Sequence, residues 1–168
     1  MFSGHDPSFD GRRGHDNTKG WKAEMFEHDK LKYHKRENLK ADGGKLLRLA
    51  AKEGDSSRVH ALCRQGVNVN CDGGSHKHTA LHYAARFGHV ACIEALLQNN
   101  ANPNMQNADG RTALHWAASN GTAAACALLL QHGAKQSMRN KDGMTPLELA
   151  EHFNNAQTIA VLRGMGNL

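Results

Sequence analysis

Apolar side chains recur along this chain in blocks that are 33 residues apart. The block Thr79–Ala85 returns as Thr112–Ala118, and its first part returns once more as Thr145–Ala150. Within a block, apolar residues lie three and four positions apart, which predicts a helix with one buried face. A fixed period of this length is typical of stacked repeat proteins, in which each unit buries its apolar face against its neighbours.

A degenerate fourth copy of the block lies at Lys45–Ala51. A second apolar segment follows each of the four copies, again with helical spacing, and predicts a second helix per unit. These segments are Val59–Leu62, Val90–Leu97, Cys126–Leu130 and Ile159–Leu162. The residues expected to stop the first helix in a left-handed conformation are Gly54, Gly88, Gly121 and Asn154. Clusters of Gly and Asn at 66–70 and 100–104, and a Gly-led segment at 133–137, predict turns after the second helices.

Alignment on Leu47, Leu81, Leu114 and Leu147 gives four units, at about 42–74, 75–108, 109–141 and 142–168. The spacing from Leu47 to Leu81 is one residue longer than the two later spacings, because loop 71–78 carries an extra residue. Its Asp72-Gly73 pair lies far from Thr79, so the loop lacks the Asp-Gly pair that stands next to the following two blocks. We therefore expect a distorted connection between the first two units.

The motifs resemble those of the ankyrin repeat family. The resemblance rests on the Thr-Ala-Leu-His blocks at Thr79 and Thr112, the glycines after the first helices, and Ala101–Asn104. It covers residues 42–168 and implies an all-α repeat solenoid of helix–turn–helix units with β-hairpin fingers. It also implies that His82 and His115 are structural, each binding loop groups of an adjacent unit.

The resemblance implies a function in binding another protein, with no cofactor, since such repeats usually meet a partner at the hairpin tips and the exposed positions of the first helices on the concave side. The expected contact residues are Lys52 and Glu53 in unit one; His76, His78, Tyr83, Arg86 and Phe87 in unit two; Asp109, Arg111, Trp116, Ser119 and Asn120 in unit three; and Asp142, Met144, His152 and Phe153 in unit four. For Phe87 and Phe153, sideways packing on adjacent helices is an equal alternative.

Composition and charge narrow the function only a little. The formal net charge of +5 is spread along the chain, and residues 1–41 hold nine Lys/Arg against seven Asp/Glu, so a nucleic-acid partner is disfavoured. No catalytic motif is present, and we expect a protein that is not an enzyme. The sequence has no run of 18 apolar residues, so we expect no membrane span. It has no apolar segment near Met1 that would indicate a secretory signal.

The cysteines Cys63, Cys71, Cys92 and Cys126 are scattered without a C-x-x-C pair, which favours a reducing compartment, the cytoplasm or nucleus. A zinc site formed by Cys71, His76, His78 and His82 is disfavoured, because His82 is expected to serve the scaffold and no second cysteine is near. We expect Cys63, Cys92 and Cys126 to be core residues.

Residues 1–41 form an N-terminal extension, expected to be disordered over 1–20 and helical over 21–40. Five of the nine aromatic residues lie in its first 33 positions. The extension is either a solvated helix or a segment that docks on the repeats, on a partner or on a second copy; the expected state is a monomer. Its basic residues could alternatively bind nucleic acid or an acidic surface, although interleaved carboxylates weaken that hypothesis.

Overall fold

The computed structural model describes residues 42–165. They form eight helices: α1 (42–53), α2 (Ser56–Arg64), α3 (Ala80–Phe87), α4 (Val90–Gln98), α5 (Ala113–Ser119), α6 (Ala123–Gln131), α7 (Pro146–His152) and α8 (Ala156–Met165). Within residues 42–165 there is no strand, and these residues form an all-α repeat solenoid, as the periodicity predicts. The extension 1–41, and the structure predicted for it, lie outside the described residues.

The helices pack in two layers, one of first helices and one of second helices. Helix α5 packs between α3 and α7, while α4 packs between α2 and α6, and α6 also contacts α8. Each first helix also packs on the second helix of its own unit from α3 to α8. The first helices of successive units therefore present one shared surface.

Small residues let the first helices approach one another closely. These fully buried alanines are Ala50, Ala51, Ala84, Ala85, Ala117 and Ala118. Larger buried side chains, including Leu114 and Leu129, fill the space between the two layers. Cys92 and Cys126 are fully buried in this core, as predicted, whereas Cys63 is half-buried at its edge.

The predicted helix boundaries are set by local chemistry. Thr79 and Thr145 are N-caps whose hydroxyl oxygens accept from the backbone N–H groups of His82 and Glu148. The stop after the first helix is left-handed in every unit, at Gly54, Gly88, Gly121 and Asn154, with φ of 79°, 71°, 73° and 57°. All four stop positions were predicted correctly.

The connections between units, here called fingers (73–78, 106–111 and 139–144), are tight turns without paired strands. In the second finger the Asn107 N–H donates to the carbonyl of Arg111 at 2.9 Å, and the Arg111 N–H donates to the Asn107 side-chain oxygen at 2.8 Å. Asn140 and Met144 repeat both bonds in the third finger. Because the amide side chain takes the place of a backbone partner, the turn closes without a strand ladder.

The first finger is distorted, as its sequence predicts. It has Gly74 where the others have the closing asparagine, and its one bridge joins Gly73 to His78. Lys77 adopts φ of 51° at the position that Gly110 and Gly143 occupy in the other fingers. The missing Asp-Gly pair therefore leaves a non-glycine residue in a left-handed conformation.

Candidate functional site

The second and third fingers are each tied to the unit before them by a buried histidine. The Nδ1 atom of His82 accepts from the Thr79 N–H at 3.1 Å, so the proton lies on Nε2, which donates to the Arg111 carbonyl at 3.0 Å. His115 repeats the arrangement with Thr112 at 3.1 Å and with the Met144 carbonyl at 3.1 Å. The prediction that both histidines are structural is confirmed by these contacts.

Both rings are held in the neutral form. Burial lowers the pKa of His82 to about 4, and burial likewise lowers the pKa of His115. Glu148 takes the equivalent position in the last unit, where its carboxylate accepts from the Thr145 N–H at 2.7 Å. That hydrogen bond lowers the pKa of Glu148. Glu148 thus keeps the cap but has no proton to offer to a further finger.

Consecutive fingers are also joined through their backbones. The Ala108 N–H donates to the His76 carbonyl at 2.9 Å, and the Lys141 N–H donates to the Asp109 carbonyl at 3.0 Å. The side chains of His76, Asp109 and Asp142 are exposed at these tips. The tips are therefore fixed relative to one another by bonds that do not use their side chains.

Two arginines converge on one tryptophan beside the fingers. The guanidinium carbon of Arg86 lies 5.0 Å from the Trp116 ring centre, and that of Arg111 lies 5.1 Å from it. The Arg111 side chain is 27% exposed and lies 3.9 Å from an Asp142 carboxylate oxygen. These distances are those of cation–π contacts. The sequence predicts all three as contact residues, and the structure brings them into one cluster.

His78 lies beneath this cluster rather than at the surface. It is 8% exposed, and its ring centre lies 5.3 Å from that of Tyr83 and 5.9 Å from that of Trp116. Burial, followed by the nearby His76 and Arg86, lowers its pKa. The expectation that His78 is an exposed contact residue is therefore corrected, because the ring supports Tyr83 and Trp116 from within.

Phe87 and Phe153 are among the most exposed large apolar residues, at 45% and 53%. Phe87 stacks on His89 with ring centres 6.2 Å apart, and the Arg86 guanidinium lies 5.8 Å from its ring centre. Phe153 meets His152 edge to face at 5.0 Å. Each phenylalanine therefore packs on a histidine one or two residues away and keeps an exposed face, and its contact with a partner stays a prediction.

The remaining predicted contact residues differ in their exposure and in whether their polar groups are already bonded. Asn120 caps α5 and donates through its side chain to the Arg86 carbonyl, while the Ser119 hydroxyl donates to the Trp116 carbonyl at 3.0 Å. Met144 is half-buried. Glu53 is exposed and lies 3.6 Å from Arg58 of α2. Ser119 and Asn120 thus hold the surface together with their polar groups.

A groove of about 200 Å³ lies at the unit-one end of this surface. Its lining residues are Lys45, Arg48, Leu49, Lys52 and Tyr83, and we call it the basic groove. Only Lys52 and Tyr83 were predicted as contact residues. The spacing of Lys45, Arg48 and Lys52, three and four positions apart, is the sequence signal that would have revealed one basic helix face. Sequence reasoning also missed the finger-closing Asn107 and Asn140.

Other kinds of site find little support in the part of the chain that the structure describes. Over residues 42–165, no group of three or more His, Cys, Asp or Glu side chains is arranged to hold a metal. His82, one of the four residues of the disfavoured zinc site, uses both ring nitrogens within the scaffold. None of the described helices is long and apolar enough to cross a membrane.

Comparison with known proteins agrees with the repeat architecture. A family profile of ankyrin repeats, present in many copies, matches residues 81–130. The chain is 42% identical over 69 residues to the E3 ubiquitin-protein ligase hecd-1 of Caenorhabditis elegans, a stretch that is 41% of this chain and 2% of that protein.

It is also 41% identical over 54 residues to the palmitoyltransferase AKR1 of Lachancea kluyveri, covering 32% of this chain and 7% of the relative. A third relative, a transient receptor potential cation channel subfamily A member 1 homolog of Caenorhabditis elegans, is 36% identical over 66 residues, which are 39% of this chain and 5% of that protein. The chain thus matches only a small part of each of these relatives.

Proposed function

The repeats of this chain are ankyrin repeats, and from that premise we propose that the domain binds another protein through the surface of its first helices and fingers. Ankyrin repeats are generally protein-interaction modules, and the fold is typically non-catalytic. The ligase and transferase named above match this chain over 2% and 7% of their lengths, so their chemistry is not carried over.

One observation carries the proposal, the convergence of Arg86 and Arg111 on Trp116. With Tyr83 and Phe87 these residues form what we call the Trp116 patch. Tryptophan, tyrosine and arginine are the residues most enriched among those that dominate binding energy at protein interfaces. The patch lies at the junction of units two and three, where a partner would reach both fingers and both first helices.

The surface is organised before any partner arrives. His82 and His115 fix the second and third fingers, and the backbone bonds between tips fix their spacing. Since little conformational freedom is left to lose, the domain gains affinity from a modest contact area. Such recognition needs no cofactor, and it is compatible with a role as an adaptor, a scaffold or a regulatory subunit.

We further propose that the chain acts as a monomer in a reducing compartment. The described cysteines are all free thiols, which suits the cytoplasm or nucleus. Light scattering of the purified full chain at high concentration tests the oligomeric state. A concentration-dependent dimer would contradict the monomer and indicate self-association.

The test of the proposal is partner capture by the full chain and by two variants matched in charge change. Arg86→Ala/Arg111→Ala removes both arginines of the Trp116 patch, while Arg64→Ala/Lys135→Ala removes two exposed cations outside it. We expect the first variant to lose the specifically captured proteins and the second to retain them. Thermal unfolding of each variant establishes that the repeats stay folded.

Equal capture by all three proteins would assign recognition to another part of the chain. Loss of capture in both variants would instead indicate a non-specific charge effect, and it would count against the Trp116 patch as the site.

A further inference from the structure

The basic groove concentrates positive charge on one face of α1. Lys45, Arg48 and Lys52 are three and four positions apart, so their side chains share that face. Like charges at this spacing repel one another and slightly destabilise an isolated helix. Among residues 42–165 none of the three lies within 4.0 Å of a carboxylate, and the nearby Glu53 is paired with Arg58 instead. The arrangement is therefore unfavourable for the helix and favourable for an anionic ligand.

The groove is also apolar at its centre. Leu49 is 40% exposed between the cations, and Tyr83 of α3 forms the opposite wall. Arg48 is held in place because its guanidinium donates to the Asp72 carbonyl at 3.2 Å. A ligand that fits must therefore carry negative charge on both sides of an apolar group.

We propose that the basic groove binds a peptide segment of a partner protein in which acidic residues flank an apolar side chain. The inference rests on the proposed function and specifies the chemistry of the partner. Lys45 and Lys52 would contact the carboxylates, and Leu49 and Tyr83 would contact the apolar side chain. Tyr83 also belongs to the Trp116 patch, so an extended segment leaving the groove passes directly onto that patch.

The charge of the neighbouring surface favours a peptide over a nucleic acid. Asp109 and Asp142 are exposed at the finger tips beyond the Trp116 patch and would repel a continuous phosphate backbone. An acidic peptide avoids this repulsion because its charges can be confined to the few residues that occupy the groove.

The test uses the full chain and a fluorescein-labelled nonapeptide with a central leucine flanked by two glutamates on each side. Fluorescence anisotropy measures the Kd. We expect saturable binding that weakens about tenfold between 50 and 300 mM NaCl, because partly exposed ion pairs are screened by salt. Replacing the glutamates by glutamine, or the leucine by serine, should each weaken binding by about tenfold.

Variants of the protein localise the binding. Lys45→Glu/Lys52→Glu should weaken binding at least tenfold, whereas Arg64→Glu/Lys135→Glu, with the same change in net charge, should leave the Kd unchanged. Leu49→Ser should weaken it without altering the salt dependence. Equal losses in the two charge variants, or a peptide that does not bind the unmodified chain, would overturn the proposal.

Two further outcomes keep this inference separate from the proposed function. If a single-stranded oligonucleotide binds more tightly than the peptide and is lost in Lys45→Glu/Lys52→Glu, the ligand is a phosphate backbone and the peptide assignment is wrong. If partner capture depends on Arg86 and Arg111 but not on Lys45 and Lys52, the proposed function stands and the groove assignment fails.

Discussion

The imidazole of His82 donates a hydrogen bond to the carbonyl of Arg111, 3.0 Å away in space and 29 residues further along the chain. The side chain of the same Arg111 lies over Trp116. A scaffold residue of unit two therefore holds the backbone of a residue in the Trp116 patch, which is contributed by unit three. Stability and the proposed recognition surface are linked at this point.

Replacing His82 by alanine tests that link. The change leaves the Arg111 carbonyl and the Thr79 N–H without their partner in a buried place, and we expect the free energy of unfolding to fall by about 2–3 kcal/mol. Chemical denaturation measures the loss. Glu148→Ala provides the comparison because it removes an exposed cap with no bond to a further finger, so its loss should be smaller. A loss no greater than that of Glu148→Ala would show that the bond between units contributes little.

Stability should depend on pH through the buried histidines. A pKa of about 4 for folded His82, below the ordinary value of 6.5, means that the unfolded chain binds more protons between these values. The stabilisation is thus complete above about pH 6.5 and is lost as the pH falls towards 4. The full shift corresponds to about 3 kcal/mol, and His115 and His78, whose pKa values are also lowered, add to the same slope.

Denaturation at pH 7.5, 6 and 5 measures this slope. In His82→Gln the free energy of unfolding should depend less steeply on pH, since the glutamine does not titrate. A free energy of unfolding that is constant between pH 7.5 and 5 would contradict the assignment of a buried neutral imidazole.

The four cysteines should differ in their reaction with a thiol reagent. Burial raises the pKa of Cys126 to about 12 and also raises that of Cys92 and Cys63, which suppresses the reactive thiolate. Cys71 is half-buried in the first finger region. Brief iodoacetamide treatment at pH 8 followed by peptide mass spectrometry should therefore find Cys71 modified first and Cys126 last, while all four react in 6 M guanidinium chloride. Early modification of Cys126 would show that the α6 layer opens readily.

The first finger offers a change that should stabilise the protein. Lys77 has φ of 51°, whereas the matching Gly110 and Gly143 have φ of 72° and 78°. Left-handed backbone costs a non-glycine residue about 1 kcal/mol, so Lys77→Gly should raise the free energy of unfolding by up to about that amount. Lys135→Gly, at another exposed lysine, should give no gain. An unchanged unfolding midpoint for Lys77→Gly would mean that the backbone of this loop is not strained at Lys77.

The sequence predicted the parts of this fold that depend on near neighbours. The left-handed stops at Gly88 and Asn154 and the cap at Thr79 follow from residues within a few positions, and the 33-residue period extends them to the whole domain. The burial of His78 could not be predicted in the same way. Its register position holds Arg111 and Met144 in the next units, and only the packing of Tyr83 and Trp116 around the ring decides its exposure.

The residues of the candidate site likewise divide into those that the repeat period predicts and those that depend on packing between helices. Residues carried over by register, such as Arg86 and Trp116, lie on the expected surface because the period determines which side they face. The basic groove was missed because its wall comes from Tyr83 of α3, two helices along the chain from the cations of α1. Its existence depends on how far the two helices stand apart, which no local pattern encodes.

The contacts within the Trp116 patch should be measurable as coupling energies. The Trp116 indole N–H is buried without a hydrogen-bond partner among residues 42–165, so the ring is held by packing and by the two guanidinium groups. A double-mutant cycle of Arg86→Met with Trp116→Leu should give a coupling of about 0.5–1 kcal/mol in the free energy of unfolding, and Arg111→Met should give a similar value. Arg58→Met, on α2 and paired with Glu53, should show no coupling to Trp116. Additive losses of unfolding free energy at Arg86 and Arg111 would mean that neither guanidinium stabilises the ring, and the assignment of cation–π contacts would then be wrong.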